Sequence, residues 1–153
     1  MTMPGLIPHI VCNGAADAIA FYKQAFGATE MMRLPGPDGR LIHAAIQVNG
    51  AVVMMVDENK DLGIVGPKTL GGSPVTLHLT VVNADEAIAR AEKAGATVKM
   101  PAADMFWGDR YGVVADPWGH NWSIAHPLAD RPKGEEELRK AAEQAMSKTR
   151  ARA

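Results

Sequence analysis

The sequence contains one segment twice. Residues 9–20 (HIVCNGAADAIA) match residues 78–89 (HLTVVNADEAIA) without a gap, so the two copies lie 69 positions apart. After one deletion the match continues from residues 26–29 to residues 94–97, where each copy has a glycine. An apolar run, a turn, a helical pattern and a glycine stop therefore occur in each half. This duplication predicts two structurally equivalent halves.

Both halves show the order β-α-β-β-β. In the first half, the helical period covers residues 15–26 and the strand patterns cover residues 6–12, 29–34, 41–48 and 51–56. In the second half, the helical period covers residues 84–94 and the strand patterns cover residues 75–82, 97–100, 110–115 and 120–125. Gly50 and Gly119, again 69 positions apart, mark a hairpin turn in each half. Residues 101–108 are expected to be irregular.

The pattern divides the chain into a single domain over residues 1–127 and a tail over residues 128–153. Within the domain, a module at 5–57 and a module at 75–127 are joined by a connector at 58–74, which is rich in glycine and proline. A connector of this length is expected to be mobile or functional. The tail predicts a peripheral helix at about 135–148, acidic at its start and basic at its end, which packs on the domain or on a partner subunit.

Composition excludes several classes of protein. The formal net charge is −1, which gives no general attraction to nucleic acid or to an anionic membrane. No apolar stretch approaches the ~20 residues of a membrane span. The single cysteine, Cys12, lies in an apolar run, so we expect it to be buried and the protein to be cytoplasmic.

Several motifs, in order, resemble one protein superfamily. They are Phe21-Tyr22 and Phe26-Gly27 on the first helix, Pro37-Asp38-Gly39 followed by Ile42-His43-Ala44, and the segments MFWGDRYG at 105–112 and DPWGHNWSI at 116–124. This set resembles the vicinal oxygen chelate superfamily, and in particular the PhnB-like branch of its glyoxalase/bleomycin-resistance group. The resemblance covers about residues 5–127. It implies an α+β fold in which two βαβββ modules form a curved, cleft-bearing sheet, and a homodimer.

The resemblance also implies where a metal would bind. Metal enzymes of this superfamily place four ligands on the first and last strands of the two halves. In this chain those positions fall on Ile7, Met54, Thr76 and Ser123, and none of these is a usual metal ligand. The resemblance therefore predicts that the cleft is kept without the usual metal site.

Two histidines lie close to these positions. His9 and His78 each follow a first-strand position by two residues, so they are expected to point to the same face of the strand. They could line a ligand pocket. Alternatively, they could begin a site for a divalent metal, with His43 as the best third ligand.

An arginine in an aromatic segment is a further candidate. Arg110 lies close to Trp107 and could hold a carboxylate or phosphate through its two-pronged guanidinium, or it could form a structural ion pair. We expect the three tryptophans to serve mainly in core and hairpin packing. The predicted ligand-binding residues are His9, Met54, Thr76, His78, Trp107, Arg110 and Ser123.

Three functions are compatible with these residues. The favoured one is binding of a small molecule in an apolar cleft. The second is a metal-dependent lyase, isomerase or dioxygenase that acts on vicinal oxygens. The third is antibiotic binding, as in bleomycin-resistance proteins. Those proteins tend to have an acidic cleft, so this function fits the chain least well.

Overall fold

The chain folds into two βαβββ modules followed by a long helix. The computed structural model describes residues 4–152. The first module consists of β1 (His9–Cys12), α1 (Ala15–Phe26), β2 (Thr29–Pro35), β3 (Leu41–Val48) and β4 (Ala51–Asp57). The connector contains a 3-10 turn (Lys60–Leu62) and the short helix α2 (Pro67–Leu70). The second module and the tail consist of β5 (Thr76–Thr80), α3 (Ala84–Ala94), β6 (Thr97–Asp104), β7 (Asp109–Ala115), β8 (Asn121–Pro127) and α4 (Glu135–Arg152).

Each module forms its own four-stranded sheet. The strand orders are β1-β4-β3-β2 and β5-β8-β7-β6, so the two sheets have the same topology. β1 is parallel to β4 and β5 is parallel to β8, whereas the other neighbours are antiparallel. The expected α+β class and the βαβββ order are confirmed.

The observed bounds of the module helices coincide with the sequence pattern. In α1, Ala18, Ile19, Tyr22 and Ala25 are buried on one side of the helix. The helix ends at Gly27, which has a φ of 67°, because a residue without Cβ adopts this left-handed conformation at little cost.

Different side chains stabilise the start of the two module helices. Gly14 precedes α1 and has no side chain, and the buried Asp57 accepts the N–H groups of Gly14 and Ala15 at 2.8 and 2.9 Å instead. At α3, His126 Nδ1 accepts the Ala84 N–H at 2.8 Å. Asp57 and His126 are 69 positions apart, so the duplicated position keeps its role with a different residue. A carboxylate or a neutral imidazole nitrogen can each satisfy a free helix N–H group.

The largest difference from the sequence prediction lies in β6, and β1 also begins at His9 rather than at residue 6. β6 continues through Asp104, although residues 101–108 were expected to be irregular. Because β6 is the outer strand of its sheet and its register shifts between Met100 and Ala103, Pro101 can lie in it without interrupting the pairing of inner strands.

The modules pack against each other through their helices. α1 and α3 are in contact, and Arg90 Nε on α3 donates to the Gln24 carbonyl at 2.7 Å. The ring of Phe26 lies 4.8 Å from that of Trp122, measured between centroids. Tyr22 Oη donates to the buried carboxylate of Asp116, which joins the first module to the β7–β8 turn.

The two hairpin tips make reciprocal contacts. Asn49, at the tip of β3–β4, donates to the Thr80 carbonyl in the second module at 2.8 Å. Trp118, at the tip of β7–β8, donates from Nε1 to the Asn13 carbonyl in the first module at 3.1 Å. Asn49 and Trp118 are 69 positions apart. The two modules therefore hold each other in a pseudo-symmetric way.

The tail helix stands apart from this core. α4 has no buried residue, and only its first turns lie near the 105–109 segment, at a shallow depression lined by Phe106, Arg131, Glu137 and Ala141. None of the helices formed by residues 4–152 is long and apolar enough to cross a membrane.

We expect Asp57→Ala to lower the free energy of unfolding by about 3 kcal/mol, because three hydrogen bonds to a buried carboxylate are lost. These are the bonds from the two N–H groups at α1 and the Leu41 N–H bond at 2.7 Å. Urea unfolding measures the change. The exposed Asp61 is the matched control, and Asp61→Ala should stay within about 0.5 kcal/mol of the parent. Equal stabilities of the two variants would contradict this role of Asp57.

Candidate functional site

Each module has one sheet face that its own helix does not cover. α1 packs on one face of the first sheet and α3 on one face of the second. We call the opposite side of each sheet its open face. In the first sheet, the pairing aligns four residues across this face, namely His9, Met54, Ala45 and Met32. In the second sheet, the corresponding row is His78, Ser123, Val113 and Met100. Paired residues in a sheet point to the same side, so each row forms one continuous strip.

The open face of the first module carries two adjacent histidines. The rings of His9 and His43 lie 5.8 Å apart between centroids and are nearly perpendicular. His9 is exposed, and His43 and Met54 are half-buried. The rest of this neighbourhood is apolar, since Val11 and Val56 pair beside the row. The first module therefore offers an apolar surface with two imidazoles.

The open face of the second module is more polar and more aromatic. His78 Nδ1 and Ser123 Oγ are 2.7 Å apart and share a hydrogen bond. The Tyr111 ring lies 6.2 Å from the His78 ring and almost parallel to it. Trp107 contacts Tyr111 edge to face at 5.3 Å, and Phe106 contacts Trp107 in the same way at 5.1 Å. The second module thus presents a row of rings that ends in a histidine–serine pair.

The structure places Arg110 away from this row. Arg110 pairs with His126 in the sheet and so points to the side covered by α3. Its guanidinium holds Asp85, in the first turn of α3, with two hydrogen bonds of 2.7 and 2.9 Å, and it holds Asp104 at 3.1 Å. These bonds, first of all those to Asp85, raise the pKa of Arg110. The structural alternative for Arg110 therefore describes its geometry, with its guanidinium paired on the side away from the open face.

The tryptophans divide between packing and the open face. Trp122 is buried in the core, and Trp118 lies at the hairpin tip, as the sequence suggests. Trp107 instead lies beside Tyr111 on the open face, where its Nε1 donates to Asp109 at 3.1 Å. Trp107 is therefore the tryptophan that remains available to a ligand.

A groove of about 370 Å³ lies between the two modules. It is bounded by β1, the connector and the start of β5, with His9, Val11, Leu70, Val75 and His120 among its lining residues. Met54, Thr76, His78 and Ser123 are not among them. The single cleft expected from the sequence is thus not assembled around all of these residues within one chain.

The residues at the four metal positions do not fit a metal. Ile7, Met54, Thr76 and Ser123 offer a hydrocarbon, a thioether and two hydroxyls, whereas Zn²⁺ and similar ions take imidazole, thiolate or carboxylate ligands. The strand pairing sets His9, rather than Ile7, beside Met54. Within residues 4–152, no three His, Cys, Asp or Glu side chains are close enough together to hold an ion. His43 joins His9, but His78 lies on the other sheet.

These features define a class of protein built from two βαβββ modules, each with an open sheet face. The family model of the Glyoxalase/Bleomycin resistance protein/Dioxygenase superfamily matches residues 6–124. The chain belongs to this superfamily, and the resemblance seen in the sequence is confirmed.

The chain is also similar to three individual proteins. An uncharacterized protein of Mycobacterium bovis is 52% identical over 130 residues, which are 83% of this chain and 86% of that protein. The crystal structure of an Arabidopsis thaliana gene product has a TM-score of 0.66 and 27% identity, and the match covers 81% of this chain and 99% of that one. The structure of the PhnB protein from Bacillus cereus has a TM-score of 0.62 at 18% identity, with 80% of this chain and 99% of that chain covered, and it shows that the fold is shared.

Sequence reasoning left one neighbour of the site unassigned. Tyr111 contacts both His78 and Trp107, yet it was not among the predicted ligand-binding residues. The alternation of side chains along a strand could have indicated Tyr111, because Tyr111 and Val113 are two positions apart in β7 and share a face. The row of rings could be recognised only once the pairing of β7 with β8 was known.

We expect the Cys12 thiol to be nearly inert in the native protein. It is fully buried on the covered side of the first sheet, and this burial, together with Asp116, raises the pKa of the thiol. Thiolate is the reactive form, so reaction with a disulfide reagent should stay slow even when the pH is raised from 7 to 9. Absorbance of the released thiol measures the rate. The same protein in urea should react fast, and fast reaction of the folded chain would contradict the buried placement.

Proposed function

We propose that this protein binds a small organic molecule on its open sheet faces and does so without the usual metal. One observation carries the proposal. The strand register puts His9 beside Met54 and His78 beside Ser123, at duplicated positions, on faces that the module helices leave free. An apolar surface with a few polar groups is the usual composition of a small-molecule site.

The side chains on these faces favour a neutral or weakly polar ligand. Most of the two rows is apolar, with the imidazoles as the groups that can exchange hydrogen bonds with a ligand, while the buried Ser123 hydroxyl bonds His78 Nδ1. Asp109 brings a carboxylate to the edge of the second face, but it already accepts Trp107 Nε1 and lies 3.7 Å from an Arg131 nitrogen. A strongly cationic ligand would find little to pair with. Antibiotic binding of the bleomycin-resistance type therefore ranks last among the three functions.

We further propose that the protein is a homodimer. Apolar side chains along the outer strands, including Met32, Leu34 and Met100, are 42%, 48% and 41% exposed. α1 and α3 pack on the covered sides, so neither shields the open face of the other module. A second copy that set its second module over the first module of its neighbour would cover these side chains. It would also bring His9, His43 and Met54 into one cleft with His78 and Ser123.

The alternative is a metal-dependent enzyme that acts on vicinal oxygens. Its specific support is the His9–His43 pair, which could supply two imidazoles to a divalent ion if His78 came from a partner copy. Metal analysis of protein purified without chelator separates the two functions. Our proposal expects less than a tenth of an equivalent of zinc, nickel, iron or manganese, whereas the enzyme requires about one. A cytoplasmic location, and the absence of nucleic-acid and membrane partners, are part of the same proposal.

We expect a panel of neutral ketones, phenols and alcohols to contain ligands that raise the melting temperature. At one hundred times the dissociation constant, binding adds about 2.7 kcal/mol, which corresponds to roughly 5 °C or more for a chain of this size. Met54→Lys should remove the shift, because the new charge lies in the proposed binding surface. Differential scanning fluorimetry measures both effects.

The matched control for this experiment is Val82→Lys. Val82 is 98% exposed and lies outside both rows, so this variant should respond to the same compounds as the parent. Loss of the shift in both variants, or its persistence in Met54→Lys, would place the ligand elsewhere and count against the proposal.

A further inference from the structure

The tail helix carries a mainly apolar stripe that the rest of the chain covers only in part. Leu138, Ala142, Ala145 and Thr149 recur at helical spacing and form the centre of the stripe, with Met146 at its margin. Leu138 is 37% exposed and Met146 is 62% exposed, and the helix buries none of its residues. In proteins, most of the stability of a helix comes from packing of its apolar face rather than from helix propensity. A partner for the stripe would therefore stabilise α4.

The charges along α4 are unevenly distributed, with an acidic first turn, Arg139 and Lys140 directly after it, and a basic C-terminal end. Glu135, Glu136 and Glu137 form the first turn, whereas Lys148, Arg150 and Arg152 lie in the last two turns. Two such helices packed in parallel would bring their acidic ends together and their basic ends together, and the like charges would repel. In opposite directions, each acidic end meets a basic end, and the helix dipoles also attract.

The positions of these charges on the helix surface fit the antiparallel arrangement. At 3.6 residues per turn, Glu135 and Arg150 lie on one flank of the stripe, and Glu137 and Lys148 lie on the other. In an antiparallel helix pair related by a two-fold axis, the flank on one side of the stripe faces the same flank of the second copy. Glu135 therefore meets Arg150 of a second copy, and Glu137 meets Lys148 of that copy.

We propose that α4 pairs with α4 of a second copy in antiparallel orientation. The register that aligns the stripes sets Ala142 opposite Ala145 of the partner and Leu138 opposite Thr149 of the partner. Small residues at the centre allow the two backbones to approach closely, and the contact is two-fold symmetric. This surface lies beyond residue 124, where the family match ends, and it does not depend on the proposed ligand site.

The test is disulfide cross-linking of the full chain with single cysteines. Ala142→Cys and Ala145→Cys are prepared separately, mixed in equal amounts, allowed to exchange and oxidised. The mixture should give a cross-linked dimer at several-fold higher yield than either variant alone, because residue 142 faces residue 145. Ser147→Cys, on the far side of the helix, is the control and should give little product. The natural Cys12 is fully buried and does not contribute.

Other cross-linking results overturn the proposal. High yield from each variant alone, without a gain on mixing, would mean a parallel pair. Absence of a cross-linked product from the mixture would mean that the two stripes do not meet. The stripe would then be covered by the chain's own domain or by a partner's sheet, or it would be exposed to solvent. The cross-link reports only on α4, so either result leaves the proposed ligand site untouched.

Charge reversal provides a second test. Glu135→Lys with Glu137→Lys should weaken the α4 association by about tenfold or more, because each paired dimer loses four cross-helix ion pairs worth a few tenths of a kcal/mol apiece and gains repulsion. Mixing with a chain that carries Lys148→Glu and Arg150→Glu should restore it. Glu143→Lys, away from the stripe, should have no effect. The yield of the 142–145 cross-link, introduced into the same chains, measures the α4 association, because sedimentation would also detect the proposed sheet-face dimer. Circular dichroism checks the helix. An unchanged association after Glu135→Lys with Glu137→Lys would count against the pairing.

Discussion

The buried carboxylate of Asp116 is the contact on which the arrangement of the two modules depends. It accepts the Tyr22 hydroxyl from the first module, 94 positions away, and Trp122 Nε1 from the second at 3.0 Å. It also accepts the backbone N–H groups of Trp118 and His120 within its own turn, each at 3.0 Å. A buried charge is tolerated only when it is hydrogen-bonded in this way. This acid therefore joins the β7–β8 turn to α1 of the other module, beside the contacts between α1 and α3. Burial and this acid also raise the pKa of Tyr22 well above its usual range, so the hydroxyl remains a donor.

Duplication explains what the halves share, and substitution explains where they differ. Asp57 and His126 stabilise the starts of equivalent helices, and Asn49 and Trp118 reach across to the opposite module from equivalent hairpins. The first pair preserves one hydrogen bond with a different side chain, whereas Asn49 and Trp118 donate to carbonyls that lie two positions apart in the repeat. The open faces have diverged further, since the first is aliphatic with two imidazoles and the second carries a row of rings. A single ligand that touches both faces would therefore meet two different surfaces. This asymmetry suits recognition of an organic molecule more than symmetrical coordination of an ion.

Much of the fold could be predicted from the sequence, and less of the site. The 69-residue repeat identified the modules, and the bounds of α1 and α3 followed from apolar spacing and from Gly27 and Gly95. Strand parity put His9 and Met54 on one face, which the pairing bears out. Arg110 could not be placed in the same way, because its partners Asp85 and Asp104 lie 25 and 6 positions away on other elements. The extent of β6 was also missed, since Pro101 is tolerated only because that strand lies at the sheet edge.

The sequence by itself determined the local elements and their duplication, because apolar periodicity, glycine stops and turn residues act over a few neighbouring positions. It also determined which side chains occupy the four positions that hold metal ligands in enzymes of the superfamily. None of these side chains is an imidazole or a carboxylate. Only the tertiary structure decided how the modules pack, which sheet faces stay open and which charged side chains are already paired. Those outcomes rest on contacts between residues tens of positions apart, such as Tyr22 with Asp116 and Phe26 with Trp122, and no local pattern specifies them.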